Sequence, residues 1–354
     1  METEHELWLS DDDDAPPAEE PQIRDGGNGQ AHELPKLSFP LPTICANDLL
    51  LKDWPEPPWL VPGMLPVGLC YLAGKPKVGK SWLGLQLAQA VCTGGSFLGV
   101  GVEPAPVLYL ALEDSPRRLQ QRMKAQMWPA GKGVAEFIGA RGARNIGPLN
   151  KGGTARLIEA IRVTGYRLVV VDTLSRLFTG DQNDVSQVTA ALGPLQQEAI
   201  NLGAAVLILD HHNKMGGANP FGKMDEDYYD PVINILGSTA KAAICDCIWG
   251  LYRQNGKPGA ILAVTGRDVD ERRLVLTHDR VTQCWQSEGD SDMVKVTKSR
   301  SEILKVVADM RRASGTEIAE AMGRNRGSIY KMLQELIAGG LLDREEDDYV
   351  LPRD

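Results

Sequence analysis

Residues 68–89 read Gly68-Leu-Cys-Tyr-Leu-Ala-Gly74-Lys-Pro-Lys-Val-Gly79-Lys80-Ser81-Trp82-Leu-Gly-Leu-Gln-Leu-Ala-Gln89. The short apolar run at 68–73 predicts a buried strand, and the apolar positions Leu83, Leu85, Leu87, Ala88 and Val91 predict a helix after it. Between them Gly74, Lys75, Pro76, Lys77, Val78, Gly79, Lys80 and Ser81 form G-x-x-x-x-G-K-S. A strand before that pattern and a helix after it are the context in which it cradles phosphates. Loop and helix N–H groups then point at the anion, and the glycines let the backbone turn and come close. Lys80 is expected to reach the β- and γ-phosphates and the Ser81 hydroxyl to ligate Mg²⁺. The binding segment is expected to run from Gly74 to Trp82, with ATP as its ligand.

Downstream, apolar runs alternate with helical patterns. Strands are predicted at 107–112, 136–138, 168–171 and 205–209, and helices at about 115–128, 154–163 and 185–201. Such alternation predicts an α/β fold, a mostly parallel sheet covered by helices on both faces. Strands near 246–252, 260–265 and 273–277 read as antiparallel additions, joined by turns at Asn255-Gly256 and Asp270-Glu271.

Three polar features fall at strand ends, where an α/β sheet binds its ligand. Asp172 ends Leu168-Val-Val-Val171, a carboxylate placed to hold Mg²⁺ through water. Glu113, with Asp114 beside it, ends the strand after the loop helix and is expected to deprotonate the attacking water. Asp210-His211-His212-Asn213 ends a further strand. Adjacent residues of an extended chain point to opposite faces, so one histidine can sense the γ-phosphate, and His212 is the expected one.

Composition bounds the rest. The 354 residues carry a net charge of −9, with 43% hydrophobic and 24% charged residues. Residues 1–35 alone hold eleven acids against Arg24, leaving 37 bases and 36 acids for the remainder. Residues 1–45 therefore read as a disordered acidic tail, and nucleic-acid contact by the near-neutral remainder requires local patches. The six cysteines include no C-x-x-C pair and read as reduced thiols, which with the absence of an apolar span of 18 residues predicts a cytoplasmic protein with no membrane segment. Residues 46–67, rich in proline and tryptophan, read as a strap on the domain that extends to 285. Residues 286–299 are polar and read as a linker. Residues 300–352 show three short helical patterns and a hairpin, which predicts a small winged helix-turn-helix. Arg324, Arg326 and Lys331 fall at or on its recognition helix, where they are expected to meet DNA. The acidic run Asp343-Arg-Glu-Glu-Asp-Asp348 opposes that reading, and protein docking is the alternative role of this unit.

LAGKPKVGKS, VLYLALEDS, LVVVDTLSR, LILDHHNK with the later LGSTA, and VTGRD together resemble the RepA-type branch of the RecA/DnaB-like ATPases, a branch that includes plasmid and phage replicative helicases. The resemblance spans about residues 58–285. It implies a RecA-like core, ATP at subunit interfaces of a hexameric ring, and the roles argued above for Lys80, Ser81, Glu113, Asp172 and His212. It also implies an arginine finger supplied by a neighbour, with Arg267 of Val264-Thr-Gly-Arg267-Asp268 expected first and Arg253 second. DNA-contacting pore loops of this lineage correspond to residues 213–236, but here that stretch carries four acids against Lys214 and Lys223, so it reads equally as an insert. The functions left in view are a DNA-translocating helicase, a regulatory ATPase that holds DNA or a partner without unwinding, and a DNA-binding regulator that merely senses nucleotide. Glu113 weighs against the last, since a sensor needs no water-activating carboxylate.

Overall fold

The computed structural model describes residues 43–54, 56, 58–211, 232, 239–253 and 259–352, with the backbone path alone for 292–297. Nearly all of the acidic tail, His212, residues 213–231 and the Asn255-Gly256 turn lie outside the described residues.

Helix α1 (Ala46–Leu51) opens the description. The pair β1 (Trp59–Val61) and β2 (Leu65–Pro66) follows and packs on the main core through Leu60, Val61, Met64 and Leu65, whereas α1 buries none of its residues. The main body then runs β3 (Gly68–Gly74), α2 (Lys80–Thr93), the short pair β4 (Ser96–Phe97) and β5 (Val100–Gly101), β6 (Val107–Ala111), α3 (Pro116–Ala125), β7 (Ala135–Gly139), α4 (Ala143–Ile146), α5 (Gly153–Thr164), β8 (Leu168–Asp172), α6 (Val185–Asn201), β9 (Ala205–His211), α7 (Thr239–Ile244), β10 (Cys247–Tyr252), β11 (Gly259–Gly266), β12 (Arg272–His278) and β13 (Trp285–Asp290).

These strands form a nine-stranded sheet in the order β13-β12-β11-β10-β3-β9-β8-β6-β7. From β10 to β7 every neighbour is parallel. β11, β12 and β13 extend it antiparallel. Of the three late strands expected as antiparallel additions, β10 therefore belongs to the parallel part. Its partner is β3, which a strand-to-strand reading of consecutive segments does not see.

Strands β3, β6 and β8 are buried at every residue because both faces are covered. Alternation divides their side chains. Cys70, Leu72, Tyr109, Val170, Leu207 and Leu209 pack with Leu83, Leu87 and Val91 of α2 on one face. Leu69, Tyr71, Ala73, Val169, Val206 and Ile208 pack with Leu157 and Ile161 of α5 and with Leu192 and Leu195 of α6 on the other. At the entry to β3 the Asp246 carboxylate accepts from the Leu69 N–H and from Gln196, each at 2.8 Å. Gly68 makes room for it: at φ 104° a Cβ would lie 2.2 Å from Asp246 Oδ2.

Residues 286–299, expected as a linker, form β13 and the first half of helix α8 (Ser291–Met310). The polar run Gln286-Ser-Glu-Gly-Asp290 suits an edge strand with little to bury, so its composition imitates a loop. Beyond α8 lie β14 (Ala313–Ser314), α9 (Gly315–Ala321), α10 (Arg326–Ala338), β15 (Asp343–Glu345) and β16 (Asp348–Val350). The three strands make a small antiparallel sheet, β14-β16-β15. With the helices they enclose a separate core of Ile303, Val307, Ile318, Ile329, Leu333, Leu336 and Tyr349. Among the described residues no helix is long and apolar enough to cross a membrane.

Candidate active site

Strand β3 carries the chain to the loop at 74–79, and α2 starts at its far side. Gly79 caps α2 at φ 112° with no side-chain hydrogen bond, and Lys77 is also left-handed at φ 64°. Helix N–H groups left without a side-chain cap attract an anion, and the helix dipole adds to that attraction. Lys80 donates to the carbonyls of Gly74 (2.7 Å) and Lys75 (3.1 Å) and lies 3.5 Å from His211 Nδ1. Burial pushes this ammonium down to about 8, against the pull of Asp172, Asp210 and Glu113. A buried cation folded onto its own loop has its donors satisfied but its charge less than fully compensated, and a polyphosphate supplies the missing anion. Lys75, Pro76 and Lys77 form the exposed tip, Val78 packs beneath it, and the Trp82 ring lies 5.2 Å from the Arg122 guanidinium.

Asp172 closes β8 and is 5% exposed. Burial raises its carboxyl above the usual range, opposed by hydrogen bonds from Ser81 and Tyr109. The Tyr109 hydroxyl donates to Asp172 Oδ2 at 3.0 Å. Ser81 and Asp172 thus meet beside the loop. A buried, hydrogen-bonded carboxylate next to a serine hydroxyl fits a divalent cation that takes its other ligands from phosphate and water. Among the described residues no cluster of three or more His, Cys, Asp or Glu stands ready to bind a metal by itself.

Glu113 follows β6 and is half-exposed, 3.5 Å from both Thr173 Oγ1 and Arg176 Nε. Asp114 turns away, bonded to Arg122 (2.5 Å) and Arg118 (3.4 Å) at the start of α3. The lysine, the serine and two carboxylates therefore gather at the C-terminal ends of β3, β8 and β6. The arrangement can hold a triphosphate with its cation and leaves the half-exposed Glu113, beside Thr173 and Arg176, to meet a water.

The expected histidine, His212, lies outside the described residues, but its neighbour is among them. β9 extends to His211, which reaches Lys80. The parity is set by the sheet: Leu207, Leu209 and His211 share the α2 face, whereas Asp210 faces α7 and pairs with Lys241 at 2.6 Å, both side chains buried. Arg267 is not in this subunit's site. It leaves β11 beside the start of β10, at the sheet end away from the loop, donates to the Ala243 carbonyl at 2.8 Å and stands 3.9 Å from Asp246. Arg253 follows β10, whose Leu251 is level with Gly74, and so lies at the loop end. In the C-terminal unit Arg324 sits before α10, bonded to Ser299 (2.6 Å) and Glu302 (3.1 Å). Arg326 at the start of α10 is 3.5 Å from Glu320, and Lys331 is exposed on that helix.

Sequence reasoning missed Tyr109, Thr173, Lys241 and Trp285. A tyrosine in the aliphatic strand Val107–Ala111 was a usable signal, because a buried phenol needs a partner for its hydroxyl. Lys241 carried none, since a lysine in a short helix reads as solvent-facing.

A glycine-rich loop between a parallel strand and a helix, with a carboxylate at the end of a nearby strand, defines a P-loop nucleoside triphosphatase. The chain belongs to the AAA_25 family, described as an AAA domain, which matches residues 38–217, just over half of its length. It is also similar to the crystal structure of KaiC-like protein PH0186 from the hyperthermophilic archaeon Pyrococcus horikoshii OT3, at 13% sequence identity and a TM-score of 0.41, over 64% of this chain and 93% of that one.

Proposed function

We propose that this AAA-domain ATPase is a DNA-acting motor with a RecA-like core, a ring-forming replicative helicase of the plasmid and phage type. The observation that carries the hydrolytic part is the gathering of Lys80, Ser81, Asp172 and Glu113 at neighbouring strand ends on the mouth of one loop. Lys80 and the first turn of α2 bind the β- and γ-phosphates of ATP. Ser81 and Asp172 are the groups that hold Mg²⁺, which when bound neutralises phosphate charge. Glu113 takes the proton of the attacking water as its oxygen bonds to the γ-phosphorus and the bond to the β-phosphate oxygen breaks. The γ-phosphate-sensing role expected of His212 is also open to His211, which lies against Lys80.

Arg267 lies at the sheet end away from its own subunit's loop, which fits an arginine supplied in trans, with Arg267 the expected donor and Arg253 the second. This is why a hexameric ring is proposed. The C-terminal unit, three helices with a three-stranded sheet, supports a winged helix, with Arg326 and Lys331 as its DNA contacts and Arg324 bracing its turn.

A second reading is a regulatory ATPase that holds DNA or a partner without unwinding. It is favoured by the ion pairs that occupy Arg324 and Arg326 and by the acidic β15–β16 hairpin. A strand-displacement assay on forked DNA with ATP and Mg²⁺ decides between them. Displacement that stops in the Lys80→Ala variant is the expected result. DNA-stimulated hydrolysis without displacement sinks the helicase and leaves the regulatory ATPase.

A further inference from the structure

Trp285, the first residue of β13, is 1% exposed and lies on the phosphate loop. Its indole N–H donates to the Gly79 carbonyl at 3.4 Å, the same oxygen that accepts the first bond of α2 from the Leu83 N–H. The ring fills the space where a side chain at 79 would go: a Cβ there would lie 2.7 Å from Trp285 Cζ2. Gln86, on α2, fastens the other side. Its Oε1 accepts from the Trp285 N–H and its Nε2 donates to the Trp285 carbonyl, each at 2.8 Å. β13 is the edge of the sheet, so these backbone groups have no further strand to pair with, and the glutamine amide takes that place. The His278 ring packs against the indole with centroids 4.6 Å apart. β13 then passes into α8 with no intervening linker.

We propose that Trp285, clamped by Gln86, is a positioning residue of the phosphate loop, and that through it β13 and α8 respond to whether the loop holds nucleotide. The proposal rests on the ATPase reading. When Lys80 exchanges the Gly74 and Lys75 carbonyls for phosphate, the loop between them and α2 must readjust. The Gly79 carbonyl and the indole move together or part. Nucleotide thereby favours one placement of β13, by as much as its affinity differs between the two. A strand that becomes a helix transmits that shift to the C-terminal unit, where a slack linker would absorb it.

The test is hydrogen–deuterium exchange on the full chain, with and without Mg²⁺ and a non-hydrolysable ATP analogue, read at 74–86 and at 285–310. In the wild type both segments are expected to respond. Trp285→Phe keeps a ring and loses the donor, so analogue affinity falls about two- to tenfold. At saturating analogue the 74–86 response survives and the 285–310 response disappears. Gln86→Ala, which leaves the indole in place, is expected to behave the same way, and it serves if Trp285→Phe does not fold. A wild-type response confined to 74–86 overturns the coupling alone. No response in either segment overturns the coupling together with the ATPase reading. Full retention of the 285–310 response in both variants overturns the role of Trp285.

Discussion

Lys80 keeps its charge in a place that disfavours charge, and this gives the site a pH signature. Its pKa, pushed down to about 8 by burial, lies below the unfolded value of 10.5. Between those values the unfolded chain binds the extra proton, so Lys80 lowers stability below pH 8 and this penalty is relieved as pH rises. Binding has the opposite sign. A phosphate beside the ammonium raises its pKa again, so binding takes up a proton above pH 8. Analogue affinity is expected to fall about tenfold per pH unit there, one proton being linked to one binding event. Calorimetry in buffers of different ionisation enthalpy detects that uptake, and a pH-independent affinity between about 7.5 and 9.5 contradicts it. Glu113 acts at a different step. Glu113→Gln is expected to bind analogue as the wild type does and to lose about 10²- to 10⁴-fold in turnover, the usual worth of a positioned base. Unchanged turnover removes Glu113 from the reaction. Tyr109→Phe deletes the 3.0 Å bond to Asp172 and leaves that buried carboxylate with one donor fewer. The expected outcome is a higher Mg²⁺ requirement for hydrolysis, with nucleotide affinity in the absence of metal unaltered.

Strand β9 illustrates how an element divides its labour between two faces. His211 stands on the α2 side against Lys80, while Asp210 points to the α7 side and pairs with Lys241, whose ammonium also donates to Gln182 at 2.8 Å. Asp210 Oδ1 in turn accepts from the His211 N–H at 2.8 Å, so the buried pair sets the strand end that carries the histidine. Lys241→Met strands a buried carboxylate and is expected to cost about 3–5 kcal/mol, whereas Asp210→Asn combined with Lys241→Met removes both charges and recovers most of it. Urea unfolding of the two variants measures this, and equal losses in both contradict it. Elements of this kind also show where sequence reading succeeds. The runs Leu168–Val171 and Ala205–Leu209 were legible because strands buried on both faces are continuous apolar runs, and Asp172 and Glu113 were legible because each interrupts such a run at its end. That His211 lies against Lys80 was not, since alternation gives opposite faces but not which face meets α2. Lys241 and Trp285 were not either: their partners lie 31 and 206 residues away, and nothing local records the contact. β13 passes for a linker in sequence because an edge strand has little apolar surface to bury.

At the scale of the whole molecule the proposed reaction needs two subunits. One supplies Lys80, Ser81, Asp172 and Glu113, and the next supplies an arginine. A heterologous contact repeated around a closed ring gives every site the same composite build. Lys80→Ala and Arg267→Ala are each expected to be inactive alone, for different reasons: the first lacks a loop that binds, the second lacks the donated charge. Mixed before assembly, a Lys80→Ala subunit still offers Arg267 to a neighbour whose loop is intact. With equal amounts and random order, about a quarter of the interfaces are whole, since a site needs an intact loop on one side and an intact arginine on the other. Turnover near that fraction of wild type, rising with protein concentration as rings form, is the expected result. The same mixing with Arg253→Ala separates the two arginines. Arg253 emerges at the loop end of the sheet and Arg267 at the other, so they face different parts of an adjoining copy. If Arg267→Ala alone keeps wild-type turnover while Arg253→Ala loses it and complements, Arg253 is the donor and Arg267 a brace on Ala243. Full turnover by a dilute monomer refutes the shared site, and with it the ring as a requirement for hydrolysis.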